Sequence, residues 1–297
     1  MSCATNEREK RPRHITDPAS RVHATRVRVV LRCSAAPIDA RTGRPDSRLQ
    51  IQCSSFMIRA LVILLASLST VASKEERFTD SLTSQIQETW DSVVNHRFTD
   101  ELASGTLDLG VLRCYLIQDH RFIDAFVVLL SSMIAAARSL EDRIPGAQFL
   151  GLITSQENTY FLRSFDALGV TQTERETTPN APATSAFQAL MRDAAKSGSL
   201  AEMLAVLVAA EWSYQSWGER VKPQAVAEPF YYREWVDLHS GDYFGSVVGY
   251  LRGLLDKEGA LLPEGELAKV KDRFFTAMRL EKEFFDTCYK AESKHEL

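Results

Sequence analysis

The sequence predicts an all-α fold in which a single helical domain occupies residues 74–297. From residue 78 onward apolar side chains recur at helical spacing, and no alternating run of β-branched residues bounded by turns is present. Glycine, proline and short polar stretches separate the periodic segments. The predicted helices span residues 78–103, 109–140, 146–168, 183–196, 200–219, 229–239, 242–258 and 265–290.

The composition and net charge of the chain are those of a globular protein and not of a nucleic-acid binder. The chain has 297 residues, is 45% hydrophobic and carries a net charge of −4. That hydrophobic content suffices for a sizeable core, whereas a nucleic-acid binder needs a strongly cationic surface. We therefore expect no nucleic-acid partner. The predicted domain contains only Cys114 and Cys288, which do not make a disulfide framework, so reduced thiols are expected.

The first 73 residues form two segments of different composition. Residues 1–56 are rich in arginine and lack periodicity, which is typical of a disordered extension or a transit peptide, and an incorrectly assigned start is an equal alternative. Residues 57–73 contain an apolar run that suits a secretory signal or a leader to the first helix. This run is shorter than the ~20 residues of a membrane span, so we expect no stable membrane insertion. Cytoplasm, organelle and secretion remain alternatives for localisation.

Three acidic residues interrupt apolar stripes. Asp119 lies within the stripe of the second predicted helix, Glu211 is the only charged residue of the run 203–217, and Glu281 interrupts the stripe of the last helix. Burying an ionised carboxylate without a partner costs on the order of several kcal/mol. Each acid taken alone is as well explained by a structural ion pair. Together they favour one polar pocket at the centre of a bundle.

A pocket of this kind predicts acid–base chemistry on a flat ligand. Carboxylates in an apolar cavity have raised pKa values, and a carboxyl group that titrates near neutral pH transfers protons. Aromatic residues lie within one turn of each acid and suit stacking on a heteroaromatic ring, although many of them serve only the core. They are Phe122, Trp212, Tyr214, Phe284 and Phe285.

The acids do not form a metal-binding pattern. A di-iron bundle needs histidine three residues after its glutamates, whereas Glu157, Glu211 and Glu281 are followed there by aromatic residues. The six histidines include no i, i+4 pair of the zinc type. We therefore expect no metal and no other cofactor. Ligation of haem by His96 is a weaker alternative to a surface or capping histidine.

Several motifs, in the order in which they occur, resemble the TenA (thiaminase II) family. They are residues 95–107, Tyr-Leu-x-Gln-Asp at 115–119, Glu-Trp-Ser-Tyr at 211–214, residues 232–244 and Glu-Lys-Glu-Phe-Phe at 281–285. The resemblance covers roughly residues 78–290. It implies the haem-oxygenase-like helical bundle, a homo-oligomer (dimer or tetramer) and a pocket for the aminopyrimidine half of thiamin.

The resemblance also implies roles for individual residues. Asp119 would grip the amino and ring-nitrogen edge of the pyrimidine, Tyr214 would support it, and Glu281 would donate or accept a proton. The nucleophilic cysteine of the cysteine-type enzymes falls at Ala210, where no sulfur is available for attack. Glu211 matches the glutamate of the cysteine-less type. That type favours 4-amino-5-aminomethyl-2-methylpyrimidine and its N-formyl form over intact thiamin.

Two positions depart from the family pattern at the walls of the pocket. His239 stands where relatives carry a second stacking tyrosine, and Phe187 stands at another tyrosine site. With Phe122, these residues complete the expected substrate-binding set. We expect carboxylate-activated water to release ammonia and give the hydroxymethylpyrimidine for thiamin salvage, with Glu211 and Glu281 as catalytic residues. The alternatives are a non-catalytic pyrimidine- or thiamin-binding or regulatory protein, and a haem- or quinone-type oxygenase.

Overall fold

A computed structural model of the protein describes residues 76–292, with side chains for residues 76–290. The segments predicted for residues 1–56 and 57–73 lie outside this part of the chain. Residues 76–292 contain no β-strand, so the all-α prediction is confirmed. The helices are α1 (Phe78–Ser84), α2 (Gln87–Val94), α3 (Arg97–Ser104), α4 (Leu109–Ala136), α5 (Leu140–Leu152), a π-helical turn (Ile153–Glu157), α6 (Asn158–Ala167), α7 (Gln172–Thr177), α8 (Pro182–Lys196), α9 (Leu200–Val221), a 3-10 turn (Lys222–Gln224), α10 (Phe230–Leu238), α11 (Asp242–Gly259) and α12 (Glu264–Glu292).

Helix α9 is the central element of the bundle. Its residues from Leu200 to Glu211 are buried with one exception, and it packs against α2, α4, α8, α11 and α12. Helices α4 and α12 also pack against each other. The three helices that carry the predicted acids are therefore mutual neighbours. No helix between residues 76 and 292 combines the length and the apolar character that a bilayer span requires.

Side-chain caps fix where α4 and α9 begin. The Asp108 carboxylate accepts a hydrogen bond from the Gly110 amide at 2.6 Å at the start of α4. The Ser199 hydroxyl accepts one from the Glu202 amide at 3.3 Å at the start of α9. Caps of this kind stabilise a helix by about 1 kcal/mol each. The buried positions along α4 and α9 place Asp119 and Glu211 on the inward faces of these helices.

Several predicted helix boundaries are wrong, and α7 (Gln172–Thr177) lies in a stretch predicted as a break between helices. The stretch 78–103 is three helices, and the last of them begins where the His96 ring accepts a hydrogen bond from the Phe98 amide at 3.1 Å. The predicted break at Pro145 and Gly146 lies inside α5. Ser139 caps that helix upstream, and a Cβ on Gly146 would come within 2.9 Å of Ile134, so this glycine permits close packing of α5 on α4.

Candidate active site

A cavity lies between α4, the π-helical turn, α9 and α10. Five of the seven predicted site residues contribute to its wall. The remaining lining side chains are apolar or aromatic, with one further acid. The complete lining set is Asp119, Phe122, Ile123, Phe126, Ile153, Glu157, Ala210, Glu211, Tyr214, Trp235 and His239.

The other two predicted residues, Glu281 and Phe187, lie behind this wall. Glu281 is 2% exposed, and its Oε1 atom is fully buried without a hydrogen-bond partner among residues 76–292. Its charge raises the pKa of Glu211, so the two acids are electrostatic neighbours. Phe187 is fully buried and meets Phe122 edge-on, with ring centroids 5.0 Å apart. It therefore supports an aromatic wall that Phe122 forms.

Asp119 is connected to a pair of tyrosine hydroxyls. Burial raises the pKa of Asp119 to about 7, and a hydrogen bond from Tyr115 opposes that rise. The Tyr115 hydroxyl is also 2.8 Å from the Tyr214 hydroxyl. A carboxyl group with a pKa near 7 exists in both protonation states at neutral pH. Asp119 is thus able to accept or donate a hydrogen bond at the edge of a ligand.

The three predicted acids, Asp119, Glu211 and Glu281, have raised pKa values and form no ion pair with the described lysines and arginines. Burial, followed by the charges of Glu281 and Asp119, raises the pKa of Glu211 well above its usual range. Burial and the charge of Asp119 do the same to Glu281. Within residues 76–292 none of these three acids forms an ion pair, whereas the buried Glu258 is bidentate to Arg138 at 2.7 Å. Separate structural ion pairs therefore do not account for the three acids.

His239 is a neutral member of the cavity wall. Burial lowers its pKa to about 4, and a hydrogen bond to the Trp235 carbonyl, 2.9 Å from Nδ1, opposes that fall. Its ring packs on Tyr214 with centroids 4.9 Å apart. His239 therefore occupies the position of an aromatic wall residue and adds no positive charge at neutral pH. Within the described residues, no group of three or more His, Cys, Asp or Glu side chains has an arrangement that holds a metal ion.

Glu157 and Tyr115 were not among the residues predicted for the site. Tyr115 is one turn before Asp119 on the same buried stripe, so its helical spacing was the available signal. Glu157 precedes the buried Tyr160 and Phe161 by three and four residues, which also places it on an inward face. Its burial and its position on the cavity wall add it to the site.

A family model covers most of the described residues. The model of the TENA/THI-4/PQQC family matches residues 83–291. The chain belongs to the TENA/THI-4/PQQC family. It is 28% identical over 214 residues to the aminopyrimidine aminohydrolase of Halalkalibacterium halodurans, a match that covers 71% of this chain and 95% of the relative. It is 24% identical over 216 residues to the enzyme of that name from Bacillus subtilis, covering 73% and 91% respectively.

Solved structures of TenA proteins share the fold of this family member. A TenA homologue from Pyrococcus furiosus superposes with a TM-score of 0.64 at 19% identity, covering 71% of this chain and all of that one. A TenA family transcription regulator from Silicibacter superposes with a TM-score of 0.63 at 21% identity, covering 71% and 95%. The haem-oxygenase-like helical fold is thereby confirmed. The names of the relatives also confirm the expectation that this protein is an enzyme.

Proposed function

We propose that the protein hydrolyses thiamin-derived aminopyrimidines of the cysteine-less substrate type, giving the hydroxymethylpyrimidine for thiamin salvage. The observation that carries the proposal is the set of acids without cations around one aromatic-walled cavity. Ala210 lines that cavity, so the position of the family's cysteine offers no sulfur there. The names of the relatives support the aminopyrimidine as substrate.

The proposed reaction divides the work between Asp119 and the two catalytic glutamates. Asp119 binds the amino and ring-nitrogen edge of the pyrimidine, with Tyr214 supporting it and with Phe122, Phe187 and His239 forming or backing the walls. Water adds to the exocyclic methylene carbon, and the bond from that carbon to nitrogen breaks. Glu211 and Glu281 take up the proton that water loses and supply a proton to the departing ammonia.

Replacing Glu281 by glutamine tests this assignment. The amide keeps the size of the side chain but transfers no proton, so the rate of product formation should fall by a factor of at least ~10². The full chain is incubated with the aminomethyl compound, its N-formyl form and intact thiamin, and the hydroxymethylpyrimidine is quantified by chromatography. Glu283→Gln, on the same helix and paired with Arg279 at 2.6 Å, is the matched control and should keep full activity.

The alternative function is a non-catalytic pyrimidine or thiamin binder. Mass spectrometry of the incubated wild-type protein separates the two functions, because a binder retains the unchanged ligand whereas an enzyme converts it. A Glu281→Gln variant as active as wild type would refute the catalytic assignment. Wild-type protein that binds but never converts any of the three compounds would favour the binder.

A further inference from the structure

Glu157 is a further buried acid of the cavity, and no role proposed above involves it. It ends the π-helical turn, is 5% exposed and lines the cavity together with Ala210 and Glu211. Turns with π-helical hydrogen bonding are rare and are frequently found at functional sites. Burial, then the charges of Glu211 and Asp119, raises the pKa of Glu157 well above its usual range. Its carboxylate therefore belongs to the same electrostatic cluster.

Among the described residues, the buried acid outside the site, Glu258, has an arginine partner and is bidentate to Arg138 at 2.7 Å. The half-buried Glu202 likewise lies 3.1 Å from Arg273. Within residues 76–292 Glu157 has neither a hydrogen bond nor an ion pair of its side chain. Loss of hydration without a partner is costly for a carboxylate. The missing partner of Glu157 is consistent with a charge that a ligand supplies.

The cavity is suited to a positively charged group. Its lining contains Asp119, Glu157 and Glu211 but neither lysine nor arginine, and the lowered pKa keeps His239 neutral at pH 7. A protonated primary amine carries one positive charge and three hydrogen-bond donors at neutral pH. Hydrogen bonds between ionised groups are about twice as strong as neutral ones. An ammonium group therefore supplies the positive charge and the hydrogen-bond donors that these acids lack.

We propose that Glu157, together with Glu211, binds the ammonium group of a protonated aminomethyl substituent and so selects cationic substrates over neutral analogues. This inference rests on the proposed function and specifies the substrate class of that site. Hydrolysis converts the ammonium form and water into the neutral alcohol and an ammonium ion. The alcohol lacks the ion pair with Glu157, so it binds more weakly than the substrate and leaves the site.

Calorimetric titration of the full chain tests the selection directly. The aminomethylpyrimidine and the corresponding alcohol are titrated into wild type, Glu157→Gln and Glu157→Asp. Wild type should bind the amine at least about tenfold more tightly, a factor that corresponds to ~1.4 kcal/mol. Glu157→Gln should lose this preference with unchanged affinity for the alcohol, and Glu157→Asp should restore most of it. In turnover assays of Glu157→Gln, KM should rise for the amine but not for the neutral N-formyl compound.

Control and opposing outcomes keep this inference separate from the proposed function. Glu234→Gln, which removes a surface acid paired with Arg163, should change neither ligand's affinity. Equal losses for both ligands in Glu157→Gln, or no change in its preference, would overturn the selection by Glu157. A Glu157-dependent preference without product formation would overturn the proposed function alone. Failure of wild type to bind either ligand would overturn both.

Discussion

Asp119 shows how burial sets the charge of one side chain. Its pKa rises from 3.8 to about 7 because the folded chain removes water from the carboxylate, and the hydrogen bond from Tyr115 recovers only part of the lost solvation. Because folding raises this pKa, protonation of Asp119 favours the folded state, and this contribution to stability is fully present below about pH 4. The contribution is lost as the pH rises through about 7.

Asp119→Asn should remove this dependence of stability on pH. Three pKa units correspond to about 4 kcal/mol. From pH 4 to pH 8 the free energy of unfolding of wild type should therefore fall by on the order of 4 kcal/mol relative to that of the variant. Urea denaturation at several pH values measures the difference. Asp124→Asn, on the same helix with its side chain 76% exposed, should follow wild type. Parallel curves for wild type and Asp119→Asn would contradict the assigned pKa.

Sequence reasoning located individual acids better than their partners. Asp119, Glu211 and Glu281 interrupt apolar stripes, and a charge within a helical stripe is visible in one dimension. Whether each acid has an arginine partner depends on which arginines lie close in the folded chain. The spacing of residues in the sequence does not show this. The long-range pair of Arg138 with Glu258 joins residues 120 positions apart. Only the packed bundle separates the paired acid from the unpaired ones.

At the scale of elements, the segment from α5 to α6 explains why Glu157 was missed. Buried residues occur there every four residues, at Phe149, Ile153, Glu157, Phe161 and Phe165. Four residues exceed one α-helical turn by about 40°, so such a stripe drifts around a regular helix. The wider π-helical turn at Ile153–Glu157 offsets this drift. Periodicity at 3.6 residues predicted a helix over residues 146–168 but not the π-helical turn within it.

Gly218 of α9 lies against the backbone of His239 at the end of α10. A Cβ on Gly218 would lie 2.9 Å from the His239 carbonyl carbon and closer still to its oxygen, and backbone atoms cannot yield as a flexible side chain does. Because His239 lines the cavity, this contact positions one wall of the site.

Gly218→Ala should therefore destabilise the fold by about 1–3 kcal/mol, the usual cost of overpacking, and should weaken ligand binding. Gly249→Ala provides the matched control, since a Cβ on this exposed helical glycine meets no atom within 4 Å. That variant should gain about 0.5–1 kcal/mol from reduced backbone entropy of the unfolded chain. Chemical denaturation of both variants measures these signs, and a stabilised Gly218→Ala would contradict the close approach.

For the whole molecule, one apolar core runs through the described residues. Its buried members extend from Leu82 in α1 to Cys288 in α12, and the family model lies between residues 83 and 291. The fold class and the order of helices were predictable because the domain consists of amphipathic helices around an apolar one. The predicted domain boundary at residue 74 stays a prediction, as does the homo-oligomer.

A chain that begins at Lys74 should keep the melting temperature of the full chain within about 3 °C, which corresponds to ~1 kcal/mol in a domain of this size. Its rate of product formation should also be unchanged. A chain that begins at Gln85 removes the buried Leu82 and the ion pair of Arg77 with Asp256 at 2.6 Å, so it should melt at a lower temperature. Differential scanning calorimetry compares the three chains. A marked loss of stability in the Lys74 chain would place essential contacts upstream.

The positions of the four tryptophans give the enzyme an optical reporter of its own. Trp235 lines the cavity, and Trp217 packs on Tyr214 with centroids 5.4 Å apart. Trp90 and Trp212 instead pair with each other at 4.7 Å, and neither belongs to the cavity wall. Indole emission responds to nearby charge and polarity. Intrinsic fluorescence should therefore follow occupancy of the cavity without any label, and Trp90→Phe with Trp212→Phe should remove the background emission.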